Sequence, residues 1–169
     1  MTNILTRGLA AILLALATLL PVAAPAQSLT DYAENAIVDA VFRSQSLGAP
    51  ATWYVALDTT ACSDSSPGTE VSGGSYARAS LASGLANWKG TDGGTSGAST
   101  GTGGQTKNAV AITFPAPTAN WGTVTHFRLV SASSGGTTWV CQALTSSKTI
   151  NNGDAAPSFA IDALTVTFQ

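Results

Sequence analysis

The sequence predicts a mainly β protein: an antiparallel β-sandwich or jelly-roll-like barrel with one N-terminal α-helix. Three observations carry this. After residue 50, apolar side chains recur with a period of two in at least six or seven short segments. Turn signals separate those segments, and the 17 Gly and 7 Pro of the 169 residues are enough to punctuate all of them. Before residue 50, one stretch has a helical period instead.

Residues 1–26 read as an export signal. Arg7 precedes an apolar run over 8–20, Pro21 breaks it, and Ala24-Pro25-Ala26 puts small residues where a signal peptidase inspects them. Cleavage is expected before Gln27, and the run is too short for a comfortable membrane span. The competing reading is a hydrophobic arm kept in the mature protein and buried against a neighbouring subunit. Residues 27–50 then form an amphipathic helix and linker. The helix is expected over 28–46, with Ser28 or Thr30 as N-cap and Asp31 and Glu34 near the positive end of its dipole. Ala33, Ala36, Ile37, Ala40 and Val41 share one face, and Gly48 and Pro50 stop the helix.

Residues 51–169 make the β domain. The first strand is expected over 52–57, with Trp53, Val55 and Leu57 on one face. Strand pieces over 70–71 and 75–81 flank Gly73-Gly74. The segment 83–107, dense in Gly, Ser and Thr, is expected as a long exposed loop, ordered only by a neighbour if at all. Strands resume over 109–114 and 121–131. In the latter, Trp121, Thr123, Thr125, Phe127 and Leu129 are expected on one face, with Val124, His126, Arg128 and Val130 on the other. Ser133-Ser134-Gly135-Gly136 turns the chain into a strand over 137–144, Asn151-Asn152-Gly153-Asp154 is a further turn, and short strands close the chain.

The chemistry available is sparse. Only 9% of residues are charged and there is one histidine, so the acids, bases and ligands that a catalytic site needs are scarce. His126 lies on an expected strand with no partner carboxylate signalled for it, and no spacing of carboxylates signals a glycosidase pair. No catalytic residue, cofactor or metal is therefore expected. Asp58, Asp64 and Glu70 lie in one region, but they read as solvated loop acids rather than calcium ligands. The net charge of −2 gives no footprint for nucleic acid. Cys62 and Cys141 form one disulfide if the protein is exported; the alternative is two buried free thiols. Trp53, Trp121 and Trp139 sit in strand patterns and read as core. Trp88, His126 and Arg128 remain as candidate surface or ligand contacts.

Three stretches, preceded by Tyr54-Val55-Ala56-Leu57, stand out as a set. They are Glu70-Val71-Ser72-Gly73-Gly74-Ser75-Tyr76-Ala77-Arg78, Phe114-Pro115-Ala116-Pro117-Thr118-Ala119-Asn120-Trp121-Gly122-Thr123-Val124-Thr125-His126-Phe127, and Ala143-Leu144-Thr145-Ser146-Ser147-Lys148-Thr149-Ile150-Asn151-Asn152-Gly153-Asp154. Together they resemble a family of small tailed-phage proteins, tail-fibre-like or virion structural, from about residue 29 to the C-terminus. The resemblance implies a non-enzymatic β-sandwich virion module present in several copies, on the tail or as a head decoration. Its partners would be copies of itself and other virion proteins. It also implies a first hairpin around Gly73, Gly74 and Tyr76-Ala77-Arg78, a strand starting at Trp121-Gly122, and a late turn at Asn152-Gly153. The signal-like N-terminus and the cysteine pair depart from that pattern. They leave room for an exported bacterial protein that binds a glycan or cell-surface receptor, or that builds an extracellular filament by strand pairing. The expected location is accordingly the virion or the extracellular space.

Overall fold

The computed structural model describes residues 29–168. The signal-like segment and the Ser28 cap lie outside the described residues. Helix α1, Asp31–Phe42, starts at Thr30, whose Oγ1 accepts the Ala33 N–H at 3.4 Å and donates to the Thr138 carbonyl at 2.7 Å. One hydroxyl thus caps the helix and moors it to the sheet. The helix ends four residues earlier than the spacing predicts, because Ser44 enters the left-handed region at φ 55°.

Nine strands follow: β1 Thr52–Asp58, β2 Ala79–Ala82, β3 Trp88–Lys89, β4 Gln105–Asn108, β5 Ile112–Thr113, β6 Gly122–Val130, β7 Thr138–Ile150, β8 Ser158–Phe159 and β9 Thr165–Thr167. They form three antiparallel sheets, ordered β2-β1-β6-β7, β3-β4-β9 and β5-β8. None closes into a barrel, so of the two predicted architectures the sandwich is the one observed. Val55, Leu57, Phe127 and Leu129 of the large sheet share one apolar cluster with Ile112, Phe114, Leu164 and Val166 from the small sheets and their flanks. Trp121 and Trp139 are buried in it and Trp53 packs against it, as the strand patterns predict. The turns at Gly73-Gly74 and Asn152-Gly153 are present, with the glycines at positive φ.

Two expectations are overturned. In β6 the predicted faces switch, because the register with β7 shifts between Val124 and His126. This bulge turns Val124 inward to join Phe127 and Leu129, and leaves Thr123 exposed. The segment 83–107 is also not one long loop: β3 and β4 lie at its ends and pair with each other. Polar side chains fasten it where apolar burial cannot. Thr91 Oγ1 donates to the Gln105 carbonyl and accepts the Gln105 N–H, at 3.1 and 3.2 Å, and Thr106 Oγ1 donates to the Lys89 carbonyl at 2.9 Å. At the end of β4, Asn108 is buried with its amide bonded to the carbonyls of Val110 and Ala160 and its Oδ1 accepting the Leu164 N–H.

Candidate assembly surface

The face of the large sheet opposite the main core carries a charge network. Asp58 ends β1, Arg128 lies in β6, and both are buried, at 0% and 5% exposure. Arg128 donates from Nε to Asp58 Oδ2 at 2.6 Å and from Nη2 to Asp58 Oδ1 at 2.9 Å, a two-bond fork. Its Nη2 also reaches Glu70 Oε2 at 3.0 Å, and Nη1 reaches Thr138 Oγ1 at 3.1 Å. Glu70 in turn receives Arg78 through Nε at 2.7 Å and Nη2 at 2.6 Å. Arg78 Nη1 closes on the carbonyls of Ala132 and Gly135. Two guanidinium groups and two carboxylates therefore neutralise one another. Burial alone would push Glu70 up, but the hydrogen bonds and charge of Arg78, with the charge of Arg128, hold its carboxyl below the usual glutamate range. Burial pushes the Tyr76 hydroxyl far up, so it stays protonated, accepting the Leu57 N–H at 2.9 Å and donating to Glu70 Oε1 at 3.1 Å.

Residues 59–69 lie over this network as a strap. Gly68 must be glycine there: a Cβ would stand 2.5 Å from the Thr60 carbonyl oxygen and 3.0 Å from Asp58 Oδ2. The strap is bonded to the sheet by the disulfide Cys62–Cys141, with Cα atoms 5.9 Å apart, and Cys141 is the β7 residue opposite Arg128. It also meets the helix, whose Asp31 N–H donates to the Asp64 carbonyl at 3.2 Å. Of the two readings of the cysteines, the bridge is the one present. Asp58 and Glu70 are correspondingly not solvated loop acids: each faces an arginine.

The other face presents apolar surface. Val38, Val41 and Phe42 recur at i, i+3 and i+4 along α1 and point to solvent, Phe42 with 81% of its surface exposed and Val41 with 66%. Val41, expected on the inward face, is outward because only Ala33 of the helix is fully buried. The helix docks through small residues and an edge-on contact of Tyr32 with Trp139, ring centroids 5.2 Å apart. Beside it opens an apolar groove of about 310 Å³, lined among others by Leu29, Ile37, Leu47, Trp53, Trp139 and Phe168. The helix contributes Ile37 to this groove, whereas Val38, Val41 and Phe42 are not among its lining residues.

The candidate contacts divide. Arg128, expected at the surface, is buried because Asp58 and Glu70 neutralise it beneath the strap. His126 is half-buried on β6 opposite Asp58, its Nδ1 2.9 Å from Thr125 Oγ1. Trp88 is half-buried: it packs against the core, borders the groove, and its Nε1 is buried with no acceptor among the described residues. Sequence reading missed the four-residue charge network. The available signal was Arg128 within one strand pattern and Asp58 directly after another, in a chain so poor in charge.

Among the described residues, no helix is long and apolar enough to cross a membrane and no three metal-ligating side chains gather. Comparison with curated proteins gives no match. A family model, Podophage GP4 fiber I protein gp80, matches residues 28–167. That span runs from just before the helix cap to the last residue of β9, and so takes in the helix, the strap with its charge network, and every strand. On that match the chain belongs to the podophage GP4 fiber I protein gp80 family, and is a phage virion structural protein.

Proposed function

We propose that this protein is a repeated subunit of a phage fibre and that its copies join through the end of α1 and the groove beside it. The observation that carries this reading is Phe42, 81% exposed at the end of a helix whose Ile37 lines an apolar groove of about 310 Å³. A molecule that carries both an exposed apolar stripe and an apolar groove can offer each to a second copy. The family match supports the reading because it includes the helix. The chain's low charge supports it too, since like subunits repel little at close approach. The partner is accordingly a second copy, with other virion proteins at the ends of the assembly and the virion as the location. Antibody against this chain should label projecting fibres on purified particles, and the chain should appear among their proteins by mass spectrometry. Particles that lack it would end this reading.

A further inference from the structure

Against the hairpin formed by β3 and β4 lies an open recess of about 280 Å³ lined by Trp88, Lys89, Gly90, Asp92, Ser96 and Ser99 among others. We propose that this recess binds one ring of a neutral saccharide. Trp88 supplies a flat apolar wall, backed by the core cluster and therefore fixed in place. Asp92, Ser96 and Ser99 supply polar groups to the same lining. Asp92 is exposed, and its carboxylate accepts the Gly94 N–H at 3.3 Å and the Thr100 hydroxyl at 3.5 Å, leaving lone pairs for further hydroxyl donors. Asp92 Oδ1 and Ser99 Oγ converge over Gly90: a Cβ there would stand 2.7 Å from each, so a larger residue would push these two groups aside. An apolar wall facing a few convergent polar groups is the usual composition of a small-ligand site, and the size is near the lower end for such sites, roughly 300 Å³.

Charge selects among ligands. Lys89 Nζ is held by Asp162 at 2.8 Å, which leaves the Asp92 carboxylate as the charge facing the recess. Anions are repelled there, whereas the hydroxyls of an uncharged sugar are hydrogen-bond donors to it. A single small site binds weakly, and repeated subunits in a fibre would raise the effective affinity through multivalency.

The test uses an array of bacterial O-antigen and capsular oligosaccharides, followed by titration of the retained sugar against tryptophan fluorescence. At least one neutral oligosaccharide should be retained. Asp92→Asn and Gly90→Ala should each weaken it by about tenfold or more, as loss of a charged hydrogen bond predicts. Because Trp88 is partly core, Trp88→Phe serves as the aromatic variant, with melting temperature as the folding control. Absence of any retained neutral sugar, retention of sulfated or phosphorylated sugars alone, or binding untouched by both loop variants would overturn the proposal. The assembly reading stands or falls separately: a self-associating protein that retains no sugar sinks only the recess, and a sugar-binding monomer sinks only the assembly.

Discussion

Beside the strap, Asp58 and Arg128 are shut away from water and Glu70 and Arg78 are partly covered, while at the end of α1 three apolar side chains stand in water. The first region is closed by its own chemistry. Asp58, Glu70, Arg78 and Arg128 neutralise one another, the strap packs against Asp58 at Gly68, and the disulfide holds the strap. The second has no such closure. Val38, Val41 and Phe42 gain nothing from water, and burying them is worth about 25 cal/mol for each Å² covered. A fold that encloses Asp58 and Arg128 and leaves aliphatic and aromatic side chains outside has satisfied polar groups inside and uncovered apolar surface in solvent, which is what the proposed assembly uses. The ion network fixes the subunit's shape, and the helix end offers that shape for contact.

The comparison breaks first at Arg128. Arg128→Leu strands the Asp58 carboxylate at 0% exposure, and urea unfolding should show a loss of about 3–5 kcal/mol. The double variant Arg128→Leu with Asp58→Asn should recover part of that loss, because the penalty comes from the unpaired charge. Replacing both cysteines by serine frees a loop closed across 79 residues and should lower stability by about 4 kcal/mol in the chain-entropy account. Hydrogen exchange should then rise first over residues 59–69.

Acid sharpens the contrast further. Glu70 is held below the usual glutamate range, so its contribution is complete above the unfolded value, about 4.3, and disappears as pH falls through the lower folded value. The melting temperature should drop on that acid limb, and Glu70→Gln should flatten the limb while lowering stability at neutral pH. The exposed pair Arg43–Asp39, 2.9 Å apart, marks the smallest effect: Arg43→Ala should change stability by about 0.5 kcal/mol or less.

The large sheet was legible from the sequence because β1 and β6 are long and carry clear alternation, and the helix start was legible because Thr30 is followed by Asp31 and Glu34. The exchange of faces in β6 was not, since a bulge is set by pairing with β7 and leaves no mark in the alternation of β6 itself. The order in 83–107 was hidden for a related reason. Its fasteners are threonine side chains reaching the backbone, and composition counts those residues as disordering. The charge network was hidden by distance: Arg128 meets Asp58 across 70 residues and Glu70 across 58. The motifs carrying the phage resemblance, in contrast, span turns and strand starts that the fold keeps, which is why the family was readable before any geometry.

Sedimentation equilibrium of the parent protein against a Val41→Ser, Phe42→Ser double variant tests the central claim most directly. The account predicts a parent that assembles with rising concentration and a variant that stays monomeric with its melting temperature nearly unchanged, since both side chains are already in water. A parent that remains monomeric throughout, or a variant that assembles as well as the parent, would contradict it.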